Sequence, residues 1–156
     1  MSTTATADAV AKHTLRLERR FAAPPERVYR AFTEPEELRR WWGPTGFTTP
    51  RIKLDVRPGG AYALTMKAPS GKLHHLAGVY KVVEPNRRLV YTWSWQEGGY
   101  AGIPTTVTLE FLPEGKGTRL RVTHEAMTSA EMVDDHKGGW SSCLDRLAEL
   151  CKGAVR

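Results

Sequence analysis

The stretch TSAEMVDDHKGGWSSCLDRLAELC, residues 128–151, decides how the rest of the chain is read. Within it Val133, His136, Trp140, Cys143, Leu147 and Leu150 recur at alternating three- and four-residue steps, which places all six along one stripe of an α-helix. Met132, Leu144 and Cys151 widen the stripe, while Glu131, Asp134, Asp135, Asp145, Arg146 and Glu149 fall on the opposite face. Thr128 followed by Glu131 is a capping-box pattern, so the helix is expected to start there. Gly138 and Gly139 each cost about 1 kcal/mol against alanine in a helix interior. A kink, or very close packing against a neighbour, is therefore expected at that point. A helix of about six turns with one apolar stripe needs a surface to lie on.

Working back from the helix, the preceding chain supplies that surface as strands. From Arg51 the hydrophobic period becomes two, with Ile52 and Leu54 alternating with Lys53 and Asp55. Arg57-Pro58-Gly59-Gly60 fits a type II turn, with Gly59 at the position of positive φ and therefore the least replaceable residue of the turn. The turn leads into a strand over residues 61–67. Pro69 to Lys72 forms a further turn before a strand from Leu73 to Val83, which is apolar on both parities, so its inward face stays open. Leu89, Tyr91, Trp93 and Trp95 alternate with Val90, Thr92, Ser94 and Gln96 in the cleanest strand pattern of the chain. The glycine-rich run Glu97 to Gly102 reads as a flexible loop, followed by a strand carrying Thr105, Val107, Leu109 and Phe111. A hairpin turn over 113–117 gives way to a last strand with Leu120, Val122 and His124 on one face. Nearer the start, Leu15, Leu17 and Phe21 mark a half-buried first strand that Pro24 and Pro25 stop. Val28, Tyr29, Ala31 and Phe32 then give one short helix its apolar side. Thr33 with Glu36 repeats the capping pattern and opens a second short helix carrying Leu38, Trp41 and Trp42.

The chain has 156 residues, close to one domain, and its 40% hydrophobic content allows a core with room for a pocket. A net charge of +6 permits acidic partners. The basic residues are nonetheless interspersed with acidic ones, without a Lys/Arg run or a nucleic-acid-binding signature, so nucleic acid is not an expected partner. No stretch approaches a membrane span and the first residues lack an apolar signal-peptide core. Cys143 and Cys151 are separated by about 12 Å of helical rise, beyond disulfide reach. They are expected to be free thiols, as in a reducing cytoplasm, and the chain is expected to be cytoplasmic. Residues 1–13 are expected to form a disordered tail and residues 14–156 one domain.

The motifs Phe21-Ala-Ala-Pro-Pro-Glu-Arg-Val-Tyr29, Thr33-Glu-Pro-Glu-Glu-Leu38, Trp41-Trp42-Gly43-Pro44, Asp55-Val-Arg-Pro-Gly-Gly60, Leu89-Val-Tyr-Thr-Trp93 and Gly139-Trp140 occur in this order. Together they resemble the START-like (SRPBCC) superfamily over residues 14–152, and within it the branch named after the activator of the 90-kDa heat-shock chaperone's ATPase. The resemblance implies an α+β helix-grip fold. In that fold a curved antiparallel sheet of about six to seven strands wraps a long C-terminal helix, and two short helices follow the first strand. It also implies a cavity between sheet and helix for an apolar ligand.

The residues point to binding more than to catalysis. His74 and His75 are adjacent on a strand and face opposite sides, and His13, His124 and His136 lack ligand spacing. No metal, cofactor or catalytic residue is assigned. Glu131, Asp134 and Asp135 are accounted for by the helix macrodipole. Aromatic and polarisable side chains are the better lead, since they suit an apolar pocket with a few orienting polar groups. The cavity candidates are Trp42, Tyr62, Met66, His74, Trp93, Trp95, His136, Trp140 and Cys143. Non-enzymatic binding of a small hydrophobic or aromatic ligand is the first functional expectation. The alternatives are a co-chaperone or stress-response role, and an enzyme resembling polyketide cyclases or hydrolases with His136 or His74 as its acid-base group. A small apolar ligand is the expected partner, with a chaperone and a second copy of the chain as further candidates.

Overall fold

The computed structural model describes residues 13–155, so the expected N-terminal tail lies outside the described residues but for His13, where the first strand begins. The elements are β1 (His13–Phe21), α1 (Pro25–Thr33), α2 (Pro35–Arg39), β2 (Thr48–Leu54), β3 (Ala61–Lys67), β4 (Leu73–Glu84), β5 (Arg88–Trp95), β6 (Thr105–Glu114), β7 (Gly117–Met127) and α3 (Ala130–Val155). All pairings are antiparallel, in the order β1-β7-β6-β5-β4-β3-β2. The sheet curves around α3, which is the helix-grip arrangement.

Local chemistry explains the helix ends, and differs from the capping pattern in the sequence. Ser129, not Thr128, caps α3: its hydroxyl accepts from the Met132 amide at 3.0 Å, and its carbonyl accepts from Val133 at 3.2 Å. Glu131 is thereby one residue too early to close a reciprocal box. Thr33 does not open α2 either. It is the last residue of α1, with its hydroxyl turned back to the Tyr29 carbonyl, because Pro35 can occupy only the first turn of the next helix. Trp41 and Trp42 lie just beyond α2, their amides held by the Leu38 carbonyl. α3 runs unbroken through Gly138 and Gly139, and the close packing expected there is not found: a methyl at either would meet nothing within 4 Å.

Two irregularities in the ladders decide which side chains point inward. The register between β4 and β5 shifts between Tyr80 and Val82, so the inward parity of β4 before the shift is His74, Leu76 and Tyr80. On β7 the inward set Thr118, Leu120, Val122 and His124 changes parity at Ala126, whose φ is 70°, and Met127 becomes buried. Strands β6 and β7 are joined through Gly115 and Lys116 alone, so Pro113 pairs with Thr118 inside the ladder and does not form part of the turn. The core gathers the inward residues of β5 to β7 with the apolar sides of α1 and α3, and Phe32, Trp41 and Phe111 pack edge to face.

The β2–β3 connection corrects the sequence reading of its glycines. Gly59 has φ +86°, and the Gly60 amide donates to the Arg57 carbonyl at 2.8 Å, as a type II turn requires. A methyl at Gly59 would meet nothing within 4 Å, whereas one at Gly60 would stand 2.0 Å from the Asp55 carbonyl oxygen. Gly60 is therefore the less replaceable of the two. Gly60→Ala is expected to destabilise the protein by more than about 2 kcal/mol, and Gly59→Ala by about 1 kcal/mol through backbone strain alone. Urea unfolding midpoints of the two variants check the order; equal midpoints would contradict it.

Candidate functional site

Where α3 leaves the sheet, a partly open cavity of about 260 Å³ remains. One side comes from α3, with Asp135, His136, Gly139, Trp140 and Cys143. The sheet contributes Met66 from β3, His74 from β4, and Trp93 and Trp95 from β5. The remaining wall is loop: Trp42, Pro44 and Phe47 after α2, and Tyr100 after β5. Eight of the nine residues singled out in the sequence thus lie together on this wall. Tyr62 does not; with Tyr80 and Tyr91 it lines a smaller void of about 30 Å³ deeper in the core, and its hydroxyl donates to the Thr92 carbonyl. Trp42 and Trp93 stand between the two spaces and line both.

Indole N–H groups set the state of the two buried histidines. Trp140 Nε1 donates to His124 Nδ1 at 3.2 Å, so His124 carries its proton on Nε2 and gives it to the Thr105 hydroxyl at 2.8 Å. Thr105 in turn donates to the Trp93 carbonyl at 2.9 Å. His136 has the other tautomer: Nδ1 donates to the Met132 carbonyl at 2.8 Å, and Nε2 accepts from Trp95 Nε1 at 2.9 Å. In each case a further proton would face an indole N–H, and both rings are held neutral. Burial, with His136 close by, pushes the His124 pKa down to about 3, and burial lowers His136 as well. Neither imidazole has a nitrogen free to move a proton. Burial also pushes the Cys143 thiol up to about 12, which leaves it protonated, a packing surface and not a nucleophile.

Two loops complete the wall, and periodicity in the sequence speaks to neither. Arg146, placed by the sequence on the outer face of the helix, instead inserts Nη1 among the carbonyl oxygens of Trp42, Gly43, Pro44 and Phe47, at 2.9 to 3.4 Å. The Thr45 amide donates to Ser142 Oγ at 2.9 Å, so α3 holds this loop at two points. The glycine-rich run after β5 is more than a connection: its Tyr100 donates to Asp135 at 2.5 Å and packs on the His136 ring. An aromatic residue among glycines was the available signal for Tyr100. Asp135, assigned to the helix macrodipole, also belongs to the cavity rim. His75, on the outer face of β4, pairs with Glu97, away from the cavity. Cys143 and Cys151 are free.

Among the described residues, no group of His, Cys, Asp or Glu has the arrangement of a metal site, and no helix is long and apolar enough to cross a membrane. The family described as Activator of Hsp90 ATPase homolog 1-like protein matches residues 22–152. The chain belongs to this family. Several solved structures are similar to this chain. Protein CV1439 from Chromobacterium violaceum is 35% identical with a TM-score of 0.81, and the match covers 88% of this chain and 96% of that one. The AHSA1 protein SPO3351 from Silicibacter pomeroyi is 31% identical with a TM-score of 0.80, over 88% and 96% of the two chains. Protein NE0264 from Nitrosomonas europaea is 28% identical with a TM-score of 0.78, over 91% and 96%. Comparison with curated proteins returns no match.

The histidine locks make stability pH-dependent. His124 stays neutral in the fold down to a pKa of about 3, while in the unfolded chain it takes up a proton below about 6.5. Its contribution is therefore complete above pH 6.5 and is lost progressively as pH falls toward 3. One depressed imidazole is expected to remove roughly 2 kcal/mol by pH 5, with His136 acting in the same direction. Urea titrations between pH 7.5 and 5 check this. His124→Gln, which cannot take up that proton, should show a shallower decline than the wild type; an equal slope would contradict the account.

Proposed function

We propose that this family member binds a small hydrophobic or aromatic molecule in the cavity between α3 and the sheet, without chemically altering it. The observation that carries this reading is the cavity itself, about 260 Å³ and walled by Trp42, Trp93, Trp95 and Trp140. At about 24 cal/mol per Å³, a space of that size left unfilled forgoes roughly 6 kcal/mol of packing as an upper figure. That is comparable to the whole net stability of many domains, so a fold with no use for the space gains by closing it. An engineered apolar cavity of about 150 Å³ takes up benzene, and by that scale this one suits a ligand of about two fused rings. The binding reading is supported against the enzymatic one by His136, whose two nitrogens are both engaged. The second reading, an accessory role toward a 90-kDa heat-shock chaperone, has the family description behind it.

Gly139 offers a test that separates binding from folding. It lines the cavity, and a side chain grown from it meets open space. Gly139→Leu is expected to stabilise the helix by up to about 1 kcal/mol while filling part of the cavity. Naphthalene should raise the melting temperature of the wild type, as a ligand of the native state must, and should do so much less in Gly139→Leu. A variant that is more stable yet still binds naphthalene equally would place the ligand elsewhere. Mass spectrometry of small molecules released on denaturing the freshly purified protein addresses the natural ligand, and stimulation of a chaperone ATPase addresses the second reading.

A further inference from the structure

The cavity reading leaves open what polar group an occupant carries, and the hydrogen bonds already made around the wall narrow that choice. On the wall, His136 has no nitrogen left to accept, because Trp95 has taken that position, and His124 behind it is engaged in the same way by Trp140. Trp42 and Trp93 add two donors that are buried and have no acceptor among the described residues. These indoles are 4% and 5% exposed and form the partition toward the smaller inner void. None of these groups leaves a free acceptor on the aromatic part of the wall. A ligand's ammonium or hydroxyl group placed there would be buried without a partner, and a charge would be the more strongly excluded of the two.

At the open end the situation is reversed. Asp135, exposed on the first turns of α3, contributes its carboxylate to the rim, and only one of its oxygens receives the Tyr100 hydroxyl. The Asp135 hydrogen bond is the main cause that raises the Tyr100 pKa to about 12, and Glu131, one turn earlier on the same side of the helix, adds to it. The ring of Tyr100 and the Trp95 indole flank this rim, and aromatic faces attract cations. His74, across the cavity with its ring near Phe47, is the one basic side chain on the wall that an acid head group could use instead.

We infer that the cavity selects an aromatic amine: a flat apolar body seated between the tryptophans, and a protonated amine at the rim on Asp135. This deepens the binding reading and rests on it. An acid of the same shape has its head group beside a carboxylate and is disfavoured.

Calorimetric titration of the full chain at pH 7 with 1-methylnaphthalene, 1-naphthylmethylamine and 1-naphthoate tests the inference. The amine is expected to bind at least about tenfold more tightly than the acid, the ratio that one charge-assisted hydrogen bond supplies. Asp135→Asn should bring amine and acid within about threefold of one another and leave 1-methylnaphthalene unaffected, which also shows that the variant is folded. Tyr100→Phe, which releases the engaged carboxylate oxygen, should tighten the amine. Binding of 1-methylnaphthalene with acid equal to or tighter than amine keeps the cavity reading and overturns the amine inference, as does a preference unchanged in Asp135→Asn. Failure of all three ligands to bind overturns both.

Discussion

A straight helix can follow a curved sheet for only part of its length, and the interior depends on where they part. α3 lies closest to the sheet along β1 and also touches β7. Past that line β3, β4 and β5 curve away from the helix, and the separation has to be filled by large side chains, by loops or by something else. The tryptophans fill part of it: Trp93 reaches across to Trp140 and Trp42, with ring centroids 5.6 and 5.7 Å apart. The remainder is the cavity. Its position is thus a consequence of helix and sheet geometry, while its chemistry comes from the few residues at the parting.

Large aromatic side chains bring a difficulty with them. Each buried indole carries a donor that must find an acceptor inside an apolar environment, or cost about 1 to 3 kcal/mol. Two of the five tryptophans use imidazole nitrogens, and Trp41 uses the Ala31 carbonyl. Histidine serves well here because a neutral ring has one accepting nitrogen and its proton can be passed to a threonine or a carbonyl. The arrangement converts two titratable groups into fixed acceptors. It also couples β5, β7 and α3 through directed bonds, in a region where dispersion alone would allow the rings to slide.

Much of this is legible in the sequence, for reasons that can be stated residue by residue. β5 declares itself because Leu89, Tyr91 and Trp93 face a core while their neighbours do not, and α3 declares itself through the spacing of His136, Trp140 and Leu147. The same periodicities bring Trp93, His136 and Trp140 to one interior. What escapes is set by contacts between residues distant in sequence. The parity of β4 depends on a shift opposite β5, which no reading of β4 alone reveals. Tyr62 has the inward parity of a wall residue but lies where the sheet is already filled by Tyr80 and Tyr91. Asp135 and Arg146 look like ordinary surface charges until the loops they meet are in place. The cap falls on Ser129 and not on Thr128 because the neighbouring serine offers the same hydroxyl one residue later.

The grip of Arg146 on the loop after α2 has a consequence for how such a protein can change. The guanidinium holds main-chain atoms only, five carbonyls counting that of Arg40, while Ser142 takes the Thr45 amide and also meets the Thr45 hydroxyl at 3.4 Å. Phe47, held through its carbonyl alone, can therefore be exchanged for another side chain while the loop keeps its seat on the helix. Shape and polarity of the cavity wall become separable from the frame that carries them, so the wall can be reshaped by local substitution without rebuilding the scaffold.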